Sequence, residues 1–152
     1  MAAGTGDAPG IERYVFGGVS YAEVIRAGAR VSHSTFISAP ESSMQMGLLA
    51  HGAGFVEVPH VHKEIPRVIK DLQQFLVVQR GVIAIDFFDA AGGLLQSVTL
   101  TTGDAILLMS GGHSLRVVED AQCVSVKQGP FLGVENDKVP LPVSGAAKDA
   151  TS

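Results

Sequence analysis

Gly54-Phe-Val-Glu-Val-Pro-His60-Val-His62 and, further on, Gly103-Asp-Ala-Ile-Leu-Leu-Met-Ser-Gly-Gly-His113 are the stretches whose reading decides the fold. Side chains alternate faces along an extended strand, so histidines two apart point the same way. His60 and His62 can therefore reach one metal ion, and His113 completes the set if the chain folds back as a barrel. Neutral imidazole suits zinc, iron, copper, nickel and manganese, so the pair alone does not choose the ion.

Outward from these stretches, the chain is a succession of short apolar runs separated by turn residues. The expected strands are 44–51, 54–62, 74–79, 82–88, 94–100, 105–109, 114–118 and 122–127. Asp89-Ala-Ala-Gly-Gly93 reads as a hairpin turn and Thr101-Thr-Gly-Asp104 as a second tight turn, glycine accepting positive φ without steric cost. The best helical candidate is 21–30, weakened by Gly28 and by its β-branched residues. Eighteen glycines and seven prolines favour many turns, hence an all-β plan closed as a barrel or jelly roll. Pro66 makes the charged stretch 63–73 a loop or bent edge between two strands.

A length of 152 residues suits one domain, expected over 11–138, with flexible tails at 1–10 and 139–152. The net charge of -4, without any Lys/Arg run, argues against a nucleic-acid partner. The first ten residues lack the basic start and apolar core of a signal peptide, and no apolar run reaches the ~18 residues of a membrane span. A single cysteine, Cys123, excludes an internal disulfide and fits a reducing compartment. The expectation is a cytoplasmic protein with no membrane partner. Apolar runs at 83–88 and 124–126 suggest a homodimer.

The histidine stretches resemble those of a small single-domain bacterial cupin, a double-stranded β-helix, over about 44–128. In the first cupin motif a glycine and five residues precede His-x-His, as Gly54, His60 and His62 do here. The motif's Glu stands six residues before a glycine; Gln74 holds that place before Gly81, after an eleven-residue gap from His62 that exceeds the family's usual one. In the second motif Gly103 and Gly111 match, Met109 replaces a proline, and His113 falls one residue early. The family's closing Asn is missing.

The resemblance implies a cupin-type jelly-roll barrel holding a divalent transition metal (iron, manganese, zinc or nickel) on His60, His62, Gln74 and His113. Gln for Glu keeps an amide oxygen as ligand but deletes a negative charge, so such a site binds metal more weakly and polarises a bound anion or water more strongly. Glu64 continues the alternation of His60 and His62 and would partly compensate. If Gln74 faces inward, Leu76 and Val78 form an apolar wall above the ion. Gln45 is a candidate polar anchor, and Arg67 and Lys70 are candidates to meet an incoming carboxylate or phosphate. His33 and His51 have no assigned role.

The function expected from this set is a metal-dependent enzyme acting on a small anionic metabolite, as a dioxygenase, isomerase or lyase. Two other readings stand beside it: a non-catalytic, sugar-like small-molecule binder or sensor, and a metal-free sugar-nucleotide isomerase or epimerase with His60 or His113 as base. The chain carries no Gly-rich phosphate loop, no Gly-x-Ser-x-Gly elbow and no zinc-type cysteine set.

Overall fold

The computed structural model describes residues 8–142; the outer parts of both expected tails, 1–7 and 143–152, lie outside the described residues. Eight strands and one helical turn follow in chain order: β1 (Ile11–Phe16), β2 (Val19–Ile25), β3 (Thr35–Phe36), β4 (Gly47–Leu48), β5 (Gln74–Phe88), β6 (Leu94–Thr101), β7 (Ala105–Leu108), β8 (Gly112–Lys127) and α1 (Val134–Asp137). The fold is all-β: a curled antiparallel sheet forms a half-barrel.

The main sheet runs β1-β2-β7-β5-β6, with β8 paired to the other side of β5. β3 and β4 make a separate two-stranded piece. The hub is β5, which pairs with β7 over Gln74–Val77, with β6 over Val82–Phe88, and with β8 along nearly its whole length.

Each face of the sheet carries its own core. On one, Leu76, Val78, Ile83, Ile85 and Phe87 pack with Val24, Val98, Leu100, Ile106, Leu108, Tyr14 and Tyr21. On the other, Ile25 and Leu107 pack with Ile37 and Met46 from the segment that carries β3 and β4. The first core takes even-numbered residues from the start of β5 and odd-numbered ones from its end. A strand with strict alternation could not do that. The change of phase occurs at register shifts between Val78 and Ile83, around Gly81. Gly81 has φ +82°, and a Cβ there would run into the Asp120 carbonyl, so the bulge needs glycine.

The turns are held as their residues suggest. Asp89 accepts the N–H groups of Ala91 and Gly93 on Oδ1. The Asp104 N–H donates to the Thr101 carbonyl, and Gly103 takes φ +89°. Asp104, itself buried, is also the centre of a half-buried ionic knot. It accepts from the backbone of Ala27 and Thr101 and from the Arg26 guanidinium, which donates twice to Glu12.

Several expectations need correcting. The helical candidate 21–30 is strand β2 and a turn, because its alternating residues bury Ala22 and Val24 on one face and Glu23 and Ile25 on the other. Runs 74–79 and 82–88 are one strand, as are 114–118 and 122–127, since bulges bend these ladders without ending them. Run 44–51 yields only the two residues of β4, and 54–62 pairs with no other strand among the described residues. Residues 83–87 are buried inside the chain, leaving them no surface for a dimer. Among the described residues, no helix is long and apolar enough to cross a membrane.

Candidate functional site

His60 and His62 lie on an extended, exposed segment between β4 and β5. Their rings stand edge to face with centroids 5.2 Å apart. Such a pair has the geometry of an ordinary edge-to-face ring contact, and two imidazoles on one tetrahedral ion at ~2.1 Å would stand about as far apart. His60 Nδ1 lies 2.9 Å from the Val58 carbonyl. A carbonyl can only accept, so Nδ1 carries the proton in this contact, and the neutral ring keeps its lone pair on Nε2. That is the tautomer a metal-ligating histidine adopts when a backbone carbonyl orients it. Glu57 adds a carboxylate oxygen 3.9 Å from the same Nδ1.

The other two members of the expected set are elsewhere. Gln74 opens β5 opposite Leu108 of β7 and Lys127 of β8, and its amide nitrogen donates to the Ser125 hydroxyl at 2.8 Å. His113 lies near the start of β8, opposite Phe87. Gln74 and His113 therefore mark opposite ends of the β5–β8 ladder, and the structure brings together only His60 and His62. Among the described residues no group of three or more His, Cys, Asp or Glu side chains gathers to hold a metal ion. His113 is exposed at the strand surface, yet desolvation by the protein around it pushes its pKa below the ordinary value of 6.5; Lys138 adds to this, and its bond with the Gly111 backbone partly opposes it.

A cleft of about 250 Å³ opens on the second face of the sheet, lined by Met44, Gln45, Met46, Gly47, Phe75, Leu107 and Val126. Gln45 lines this cleft, which is not the metal pocket expected for it, since His60, His62, Gln74 and His113 are absent from the lining. Leu76 and Val78 do not line it. They point through the other face into the main core, and it is Phe75, one residue out of phase, that reaches the cleft. The Gln45 amide nitrogen donates to the Pro40 carbonyl at 2.7 Å, while its oxygen has no protein donor among the described residues. None of the lining side chains is charged. Two methionines and an aromatic ring make an adaptable apolar wall.

Arg67 is exposed on the extended segment, its guanidinium 3.4 Å from the Ile65 carbonyl, and Lys70 and Glu64 are exposed on the same stretch. None of the three lines the cleft. Sequence reasoning missed Phe75, Leu107 and Val126 as a wall of this cleft. The signal was present in the alternation of β5, taken in the wrong phase.

Compared with protein-family models, with curated proteins and with solved structures, the chain finds no match.

Proposed function

We propose that this chain is a metal-binding protein of the cupin type, a jelly-roll relative in which His60 and His62 hold a divalent transition metal and a small anionic molecule binds at that ion. The observation that carries this reading is the His60–His62 pair: ring centroids 5.2 Å apart, with the His60 Nδ1 proton committed to a backbone carbonyl. Iron, manganese, zinc and nickel all accept such ligands. When bound, the ion supplies Lewis-acid polarisation of an oxygen ligand, the chemistry expected of an isomerase, a lyase or a dioxygenase.

The chain's own residues supply orientation. The Val58 carbonyl fixes the His60 ring, Pro59 restrains the backbone between them, and the exposed setting would leave an ion held there accessible to water or ligand. Gln74 and His113 do not fit the same coordination sphere in this arrangement, so no step is routed through them. Metal analysis of protein purified without a histidine tag tests the reading. About one equivalent of a single transition metal per chain supports it, and metal-free protein that takes up none on incubation refutes it.

A second reading is favoured by the cleft. Its uncharged lining and the unpaired Gln45 oxygen suit a neutral, partly apolar molecule with one donor group, and nothing there resembles an acid or a base. On this reading the chain is a non-catalytic small-molecule binder. Val126→Trp would add bulk to the cleft lining, and loss of ligand-induced thermal stabilisation in that variant, with His60→Ala unaffected, would select it over the metal reading.

A further inference from the structure

Residues 34–50 form a hairpin that is closed on itself. Thr35 and Phe36 pair with Leu48 and Gly47, the Ile37 N–H donates to the Met46 carbonyl, and the Ala50 N–H donates to the Ser34 hydroxyl. Among the described residues no backbone-to-backbone bond joins this hairpin to the main sheet. Apolar contact holds it there, together with side-chain bonds at two places.

The sheet beneath supplies both the anchor and the cleft. Arg13, Glu23, Leu107, Phe75 and Val126 are successive cross-strand partners, one row across the second face. At one end of the row the Arg13 guanidinium donates to the Ile37 carbonyl, and the buried Glu23 carboxylate accepts from the Ser38 hydroxyl. These bonds grip the middle of the hairpin. At the other end Leu107, Phe75 and Val126 line the cleft from the sheet, while Met44 and Gln45 line it from the hairpin tip.

The second tie is at that tip. The Met44 N–H donates to the Gln73 amide oxygen at 3.1 Å, and the Ser43 hydroxyl donates to the exposed Asp71 carboxylate. The two ties are unequal. Bonds to ionised groups are roughly twice as strong as neutral ones, and burial of Glu23 keeps water from competing for its bond. The tip has one neutral bond and one bond to a carboxylate that water also reaches.

We propose that the hairpin is a lid on the cleft: its tip, 39–45, lifts from Leu107, Phe75 and Val126 to admit a small molecule, while its middle stays pinned at Arg13 and Glu23. An element tied by few side chains opens locally, well below the free energy that frees a laddered strand such as β7. The chemistry of the guest rests on the small-molecule reading above. The motion is tested without a guest, so its failure leaves that reading standing.

Ile106 and Leu107 are neighbours on β7 and equally covered, 0% and 1% accessible, but Ile106 faces the main core and Leu107 the hairpin. In a Cys123→Ser background, iodoacetamide should label Leu107→Cys faster than Ile106→Cys by roughly tenfold or more, at a rate that low urea leaves unchanged. Gln73→Met, and to a lesser extent Ser43→Ala at an exposed position, should speed labelling of Leu107→Cys and leave that of Ile106→Cys as it was. Equal rates for the two thiols would overturn the proposal, because the cleft would then open only with the whole fold. So would an equal acceleration of both thiols by Gln73→Met and Ser43→Ala, or no acceleration of Leu107→Cys by either.

Discussion

Gln74 and Ser125 are joined across the β5–β8 ladder, the Gln74 amide donating to the Ser125 hydroxyl at 2.8 Å. The bond holds Gln74 on the face shared with Leu76 and Val78 and turns it toward β8. Gln74→Glu should therefore be nearly silent. A serine hydroxyl donates to a carboxylate as readily as it accepts from an amide, and Lys127 is the directly opposed residue on β8. Chemical denaturation should show a change under ~0.5 kcal/mol, and metal affinity should not move. A tenfold gain in metal affinity, ~1.4 kcal/mol, would show that Gln74 reaches the ion.

Phe87 is fully buried and packs against three rings, those of Tyr14, Phe16 and Tyr21, with centroids 5.1, 5.9 and 6.0 Å away. Phe87→Ala leaves a cavity that the surrounding strands cannot collapse to fill. Unfolding experiments should show a loss of ~3–5 kcal/mol. A loss under ~1 kcal/mol would mean that this core is not packed as described.

Gly81→Ala should destabilise the hub strand without touching either core. Its Cβ would need a positive φ and would meet the Asp120 carbonyl, so the bulge must rearrange. The expected cost is about 1–3 kcal/mol. An unchanged melting temperature would contradict the phase-changing role of Gly81 at the centre of β5.

Acid should act through the ionic knot. The Arg26 bond holds the Glu12 carboxyl below its ordinary 4.5. Burial alone would raise Asp104, but the N–H groups of Thr101 and Ala27 and the Arg26 guanidinium leave it below 3.8. Carboxylates depressed in the folded state bind fewer protons there than in the unfolded chain, so their contribution is complete above about pH 4.5 and is lost as pH falls through the folded values. Wild-type stability should fall steeply below pH 4.5. Arg26→Gln should be less stable at pH 7 and should show a shallower acid limb, as read from denaturation midpoints between pH 7 and 3. Parallel acid limbs would remove Arg26 from the knot.

The sheet was largely legible in the sequence because β5 to β8 are apolar runs whose turns are marked by Asp89–Gly93 and Thr101–Asp104. Phase was not legible. A bulge leaves no mark except a glycine, and Gly81 looks the same whether it ends a strand or bends one. Leu76 and Val78 were therefore assigned to a cavity, whereas Phe75 reaches it. The 21–30 stretch misled for a related reason. With both faces of β2 covered, its strand residues lose the polar alternation that would distinguish them from a short buried helix. The His60–His62 pairing followed from spacing alone, since two residues on one extended segment need no long-range partner. Gln74 and His113 depended on how distant strands meet, which local sequence does not encode.

The central claim is that His60 and His62 are ligands of one metal ion, and equilibrium dialysis of the untagged chain against zinc, nickel and manganese tests it most directly. The account predicts one ion per chain, with affinity reduced at least tenfold in both His60→Ala and His62→Ala and unchanged in His33→Ala and His51→Ala. Binding that survives in both single variants at wild-type affinity, or no binding by the wild-type chain, would contradict it.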